Sequence, residues 1–165
     1  MTSAKRDKTP DTNRLFNEAD RYEEMGDFRN AFKCLLTAAQ LGDSWGQVNL
    51  GNFYAAGTGV GRDLEKAAYW YKKAYKNGNN DGALNLAIDR KNQGNLRSAV
   101  LWLKKAIAMN SGPACIELAK IYDARKGGQK AAANLLRRAL RMSRDNISDD
   151  ARDQAESLLR TMTKM

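Results

Sequence analysis

A pair of alanines spaced seven residues apart recurs four times along the chain and constrains its fold more than any other feature. The first alanines of successive pairs are 36, 32 and 33 residues apart, and the pairs are Ala31/Ala38, Ala67/Ala74, Ala99/Ala106 and Ala132/Ala139. Positions seven apart share one face of an α-helix. Each repeat is therefore predicted to contain a helix with two small residues where a neighbouring element packs closely.

A second column of small residues precedes these pairs and consists of Ala19, Gly51, Ala87 and Ala119. The distance from the small residue to the first alanine is 12 residues in the first and third repeats, 13 in the fourth and 16 in the second. Two helical segments joined by a short connection indicate a helical hairpin. The sequence therefore predicts four hairpins, of which the second has a connection longer by the length of "GTGV".

Three glycines, Gly57, Gly59 and Gly61, lie in that longer connection. A phosphate-binding loop of this kind needs a strand before it and Lys-Ser or Lys-Thr after it. Here a helix-periodic segment precedes the glycines and Arg62-Asp63 follows them. We therefore interpret all three as turn residues that supply positive φ angles, and we expect no bound nucleotide.

The side chains that carry most enzyme chemistry are missing or scattered. The 165 residues include no histidine, the commonest general base and metal ligand. The two cysteines, Cys34 and Cys115, lack metal-type spacing and are expected to be small buried hydrophobic residues. The sequence thus predicts no enzyme, with no catalytic, metal or cofactor-binding residue and no small-molecule substrate.

Charge and hydropathy indicate which partners and which cellular location to expect. Its net charge is +9, which favours acidic partners. It has no secretory signal and no stretch of about 18 consecutive apolar residues, so we expect a cytoplasmic protein without a membrane partner. The predicted organisation is a mobile basic tail at residues 1–11, a helical repeat solenoid at 12–146, and a capping helix at 147–165 that starts near Ser148.

The second repeat, "NLGNFYAAGTGVGRDLEKAAYWYKKAYKNG", resembles the Sel1-like (Sel-one-like) repeat, a relative of the tetratricopeptide repeat. The positions that fit the family pattern are Leu50, Gly51, Tyr54, Gly57, Gly59, Val60, Asp63, Lys66, Ala67, Trp70, Lys73, Ala74 and Gly78. The other repeats lack the glycine loop, so the resemblance is specific in the second repeat and looser across residues 13–143.

This resemblance implies an all-α fold, a right-handed α-solenoid of about four antiparallel helix pairs with a C-terminal capping helix. It also implies a protein–protein interaction module, either an adaptor or an inhibitor. Short free-standing bacterial members of the family include inhibitors that neutralise a toxin.

The concave face of such a solenoid is the first candidate for partner binding. The resemblance implies that the first helix of each pair lines this face, with Trp45, Asn52, Ile88, Lys91 and Lys120 as the leading contacts. Trp45 is either an interface anchor or a cover for its neighbour. The row Phe16, Val48, Leu84 and Ile116 belongs either to this face or to the core. Trp70 and Trp102 repeat at one position and are expected to be core residues.

A basic outer ridge is the alternative. Doublets occupy one position in three repeats and comprise Lys72, Lys73, Lys104, Lys105, Arg137 and Arg138. The ridge is either a solvated helix face or a surface for nucleic acid or an acidic protein. We expect no aromatic side chain beside it, which weakens the case for single-stranded nucleic acid.

Overall fold

Nine α-helices and no strand occur in residues 11–162, the part of the chain that the computed structural model describes. The helices are α1 (Thr12–Glu24), α2 (Phe28–Gln40), α3 (Ser44–Ala56), α4 (Leu64–Lys76), α5 (Asn80–Asn92), α6 (Leu96–Ala108), α7 (Gly112–Asp123), α8 (Gln129–Leu140) and α9 (Asp149–Met162). Polar caps accept backbone N–H bonds at most helix starts, and these caps are Asp11, Asp27, Asp43, Asp63, Asn79, Asn95 and Ser111.

The first eight helices pack as four pairs stacked in chain order. Each second helix (α2, α4, α6 and α8) packs against its own first helix (α1, α3, α5 and α7) and against the helix that follows it. The first helix α3 also contacts α5, and α7 contacts α9. These contacts place the first helices and α9 along one side of the stack, which we call its inner side.

Close packing explains the two columns of small residues. All eight paired alanines are fully buried, as predicted. The small residues of the first helices, Ala19, Gly51, Ala87 and Ala119, are buried as well. A Cβ on Gly51 would clash with the ring of Tyr71. Small residues are required at these positions because each helix surface approaches its neighbour without room for a longer side chain.

Trp70, Trp102 and most of the row that the sequence left open between core and concave face belong to the core. Trp70 is buried against Ala39 and Leu50, while Trp102 is partly buried and meets Tyr75 edge-on, with ring centroids 5.6 Å apart. In the row of Phe16, Val48, Leu84 and Ile116, the last three are buried. Phe16 is partly buried and packs against a core cluster that includes Ala19 and Ala31.

The cysteines differ in burial. Cys115 is buried, and burial raises the pKa of its thiol. Cys34 is only partly buried, although burial is again the main cause of its raised thiol pKa. The expectation of a fully buried residue is therefore confirmed for Cys115 and wrong for Cys34.

The long connection of the second pair packs against the first pair. Gly57 ends α3 in the left-handed conformation at φ +81°, and Gly59 has φ +65°. A Cβ on Gly59 would clash with the carbonyl oxygen of Phe28, at the start of α2. Gly61 has neither a positive φ nor a neighbour within 4 Å of a Cβ. The prediction of positive φ is thus confirmed at the first two glycines and wrong at the third.

Alanine substitutions at Gly59 and Gly61 should have different effects on the free energy of unfolding. We expect Gly59→Ala to lower the free energy of unfolding by roughly 1–3 kcal/mol, because the left-handed backbone and the carbonyl of Phe28 both oppose a Cβ. Gly61→Ala is the matched control and should be neutral or slightly stabilising. Urea unfolding followed by circular dichroism measures both. Equal costs at the two positions would contradict this account of the loop.

Helix α9 packs against α8 and α7 at the end of the stack. Ser148 accepts the backbone N–H of Ala151 at 3.3 Å and so caps the start of α9. The guanidinium of Arg152 donates to the carbonyls of Leu140 and Met142 at 2.8 and 2.9 Å, which joins α9 to the end of α8. The predicted tail lies outside the described residues except for Asp11, and the proposed boundaries stay predictions.

Candidate functional site

The first helices present one solvent-facing stripe each, which we call the inner face. Its positions follow the helical spacing of four, three and four residues, and each is at least partly exposed. The sixteen positions are Asn13, Asn17, Asp20 and Glu24 on α1; Trp45, Asn49, Asn52 and Ala56 on α3; Asp81, Asn85, Ile88 and Asn92 on α5; and Pro113, Glu117 and Lys120 on α7, with Ala124 directly after it.

Side chains in the middle of the inner face join neighbouring helices. The hydroxyl of Tyr71 donates to Asn52 Oδ1 at 2.8 Å, and the amide of Asn85 donates to the same oxygen at 3.0 Å. Ile88 packs partly against the core. The predicted contacts Asn52 and Ile88 are therefore accessible, but each also contributes to the packing of the stack.

Two further predicted contacts converge on one carboxylate. Lys91 Nζ lies 2.6 Å and Lys120 Nζ 2.7 Å from the carboxylate oxygens of Glu117. Burial alone would raise the pKa of Glu117, but the hydrogen bonds from Lys120 and Lys91 outweigh burial and hold its pKa below the usual range. This partly exposed triad carries one net positive charge.

Trp45 lies apart from these residues, in a groove at one end of the inner face. The groove has a volume of about 450 Å³ and is also lined by Asp81, Pro113, Arg144 and Asn146. Trp45 is 59% exposed, so most of its side chain is open to solvent. Asn52 is seven residues further along α3, a distance of about 10 Å. The structure thus divides the predicted contacts between this Trp45 groove and the middle of the inner face.

Sequence reasoning missed a row of asparagines. Asn17, Asn49 and Asn85 each lie two residues before the small residue of their repeat, and Glu117 takes this position in the fourth. The amides of Asn17 and Asn49 have no hydrogen-bond partner within residues 11–162. The signal was present in the sequence as a column with the same repeat step as the alanines.

The inner face is acidic near α1. A recess of about 400 Å³ is lined by Asp20, Glu23, Asn49 and Asn52, among others. Burial and the neighbouring charge of Asp20 raise the pKa of Glu23. A cationic side chain placed in this recess would relieve the repulsion between the two carboxylates.

Three of the six predicted ridge residues contact an aromatic ring or a neighbouring helix. Lys73 Nζ lies 4.9 Å from the ring centroid of Trp70, and Lys105 Nζ lies 3.9 Å from that of Trp102. Arg138 donates to the carbonyl of Ile107 at 3.1 Å. The other three ridge residues, Lys72, Lys104 and Arg137, are exposed.

An aromatic side chain does lie beside the ridge. Tyr69 precedes Trp70 on α4, is 56% exposed, and has its ring 5.8 Å from Lys73 Nζ. The expectation that the ridge lacks an aromatic neighbour is therefore wrong. It failed because the burial of Trp70 leaves the preceding residue on the outer side of the helix.

The described part of the chain offers neither a metal cluster nor a membrane span. Among residues 11–162, no three His, Cys, Asp or Glu side chains are grouped so as to hold a metal ion. None of the described helices is both long and apolar enough to cross a bilayer.

Comparisons with known proteins place these observations in a family. The sequence matches the Sel1 repeat over residues 23–43, 46–79 and 88–111. No curated protein sequence matches the chain significantly. A Sel1 repeat protein from Oxalobacter formigenes has a similar structure, with a TM-score of 0.72 and 20% identity over 94% of this chain and 65% of that one.

Two further solved structures share the fold. The protective antigen c5321 of uropathogenic Escherichia coli, which displays an SLR fold, gives a TM-score of 0.72 at 16% identity, over 93% of this chain and 34% of that one. The MamA protein gives 0.57 at 17% identity, over 93% and 90%. This chain thus spans less than two thirds of the length of the first two. Residues 23–111 of this chain thus carry three Sel1 repeats, and the chain shares the solenoid fold of solved Sel1 repeat structures.

Proposed function

We propose that this chain is a protein–protein interaction module that binds an extended segment of a partner polypeptide on its inner face. Sel1 repeats form non-enzymatic scaffolds that generally mediate protein–protein interactions. The observation that carries the proposal is the row of Asn17, Asn49 and Asn85, which offers side-chain amides on three successive pairs.

The chemistry of this row suits a peptide backbone. An asparagine amide carries both a donor and an acceptor, as a peptide group does. The amides of Asn17 and Asn49 are unpaired within residues 11–162, and Asn85 uses one N–H towards Asn52. Packed helices lie about 10 Å apart, and an extended chain rises about 3.4 Å per residue. A bound segment would therefore advance about three residues per helix pair.

Two recesses give this surface selectivity. The Trp45 groove is lined by the indole of Trp45 and by Pro113, which suits an apolar side chain of the partner. The recess at Asp20 and Glu23 suits a lysine or arginine. The first helices carry eight carboxylates and five cationic side chains. We therefore propose a neutral or basic segment as the ligand of the inner face, rather than the acidic partner that the net charge suggested.

The same interaction serves an adaptor or an inhibitor. A module that recruits the segment acts as an adaptor, and one that masks a functional segment acts as an inhibitor. The toxin-neutralising role that the resemblance implies is a case of the second.

Selection from a random peptide display library, with this chain as the immobilised target, tests the proposal. Selected peptides should be extended and should bind an Asn17→Ala/Asn49→Ala variant about 10- to 100-fold more weakly, because each lost hydrogen bond contributes about 1 kcal/mol. N-methylation of single backbone amides should weaken binding as well. Asn134→Ala, a matched change on α8, should leave affinity unchanged. Peptides that bind the double variant as tightly as the parent would refute the proposal.

A further inference from the structure

Charge is segregated between the two sets of helices. The second helices α2, α4, α6 and α8 carry twelve lysine and arginine side chains and one carboxylate, Glu65. The first helices, in contrast, carry more carboxylates than cations. The excess positive charge of the chain is therefore concentrated on the outer side of the stack, away from the inner face.

The exposed stripes of the second helices form a four-by-four array, which we call the outer face. Its positions again follow a spacing of four, three and four residues. They are Arg29, Lys33, Leu36 and Gln40 on α2; Glu65, Tyr69, Lys72 and Lys76 on α4; Arg97, Leu101, Lys104 and Ala108 on α6; and Lys130, Asn134 and Arg137 on α8, with Arg141 directly after it. Within residues 11–162, none of the nine cations in this array forms an ion pair.

A recess on this face combines an aromatic ring with cations. Its volume is about 410 Å³, and it is lined by Tyr69, Lys72, Lys73, Lys76 and Asn77. The ring of Tyr69 meets Trp70 edge-on, with centroids 5.1 Å apart and an interplanar angle of 81°. Because Trp70 is buried, this contact holds the Tyr69 ring in place while more than half of the side chain faces solvent.

We propose that the outer face binds single-stranded nucleic acid, with a base stacked on Tyr69 and the flanking phosphates beside Lys72, Lys76 and Lys104. Positive grooves with aromatic stacking positions are the common design of proteins that bind single strands without sequence preference. A duplex keeps its bases stacked internally and would leave Tyr69 without a partner. An acidic polypeptide would satisfy the lysines but has no planar base for the ring.

The two binding surfaces are independent. The outer face uses α2, α4, α6 and α8, whereas the proposed polypeptide site uses α1, α3, α5 and α7. A protein and a nucleic acid could therefore be bound together, and variants of one face should leave the other unaffected. Failure of either proposal is thus distinguishable from failure of the other.

Fluorescence anisotropy with a labelled oligothymidylate over a salt series tests the proposal. We expect the logarithm of the association constant to fall linearly as the logarithm of the salt concentration rises. The slope should be about −2 to −4, which corresponds to three to six neutralised phosphates. Lys72→Gln with Lys104→Gln should reduce this slope by about 1.4. Tyr69→Ala should weaken binding about 5- to 100-fold with an unchanged slope, since stacking is uncharged.

Three controls complete the experiment. Tyr69→Phe keeps the aromatic ring and should bind oligothymidylate as the parent protein does. Trp45→Ala, on the inner face, should also bind as the parent does. Thermal melts should show that all of these variants are folded. Two results would overturn the proposal. One is an absence of oligothymidylate binding at low salt. The other is unchanged affinity of Tyr69→Ala together with equal displacement by a duplex or by polyglutamate, which would show a general anion-binding surface.

Discussion

Replacing Trp70 with alanine is expected to lower the free energy of unfolding by about 3–5 kcal/mol, the usual cost of truncating a buried aromatic residue. Trp70 is only 9% exposed and packs between α2 and α3 against Ala39 and Leu50. The substitution would leave a cavity at the contact between the first two pairs. For a chain of this size, the melting temperature should fall by roughly 6–20 °C.

The adjacent residue supplies a matched control. Tyr69 is exposed, so Tyr69→Ala should cost no more than its edge-on contact with Trp70, about 0.5–1.5 kcal/mol. Trp102→Ala should fall between the two, because Trp102 is partly buried. Thermal and urea unfolding measure all three. A Trp70→Ala protein that melts within a degree or two of the parent would show that the helix register is wrong.

Removing the indole of Trp45 is expected to weaken polypeptide binding about thirtyfold or more, as for an interface anchor. The Trp45 side chain is exposed to solvent, so Trp45→Ala should leave the melting temperature nearly unchanged. Calorimetry with a peptide selected by display measures the affinity. Leu101→Ala removes a similarly exposed apolar side chain from the outer face and should have no effect on this peptide.

A Trp45→Ala protein whose affinity stays within about twofold of the parent would remove Trp45 from the proposed site. Ile88→Asp would be a less informative variant than Trp45→Ala. Ile88 packs partly against the core, so a buried carboxylate would lower stability and binding together.

The fold could be predicted from the sequence because each repeat carries the same local pattern. The eight paired alanines mark the surfaces where helices approach most closely, and repetition at steps of 32 to 36 residues makes those surfaces visible without an alignment. Gly57 and Gly59 could be identified as turn residues because their positions require a backbone that few other residues adopt. Gly61 shares their spacing but not their conformation.

The candidate sites were harder to predict because they depend on contacts between repeats. Nothing in the local pattern around Lys91 and Lys120 indicates that Glu117 lies between them, since that contact depends on how α5 and α7 are placed side by side. The exposure of Tyr69 follows from the rotation of α4 that buries Trp70. The row of Asn17, Asn49 and Asn85 was visible in the sequence, but its accessibility required the structure.

The central claim is that a protein partner is bound on the inner face, and site-specific photo-crosslinking tests it most directly. Benzoylphenylalanine would replace Trp45 in one variant and Tyr69 in another, two aromatic side chains of similar exposure on opposite faces. After irradiation in native lysate, the Trp45 variant should give a discrete protein adduct that nuclease treatment does not remove. No such adduct should form at Tyr69. A discrete protein adduct at Tyr69 and none at Trp45 would contradict the account.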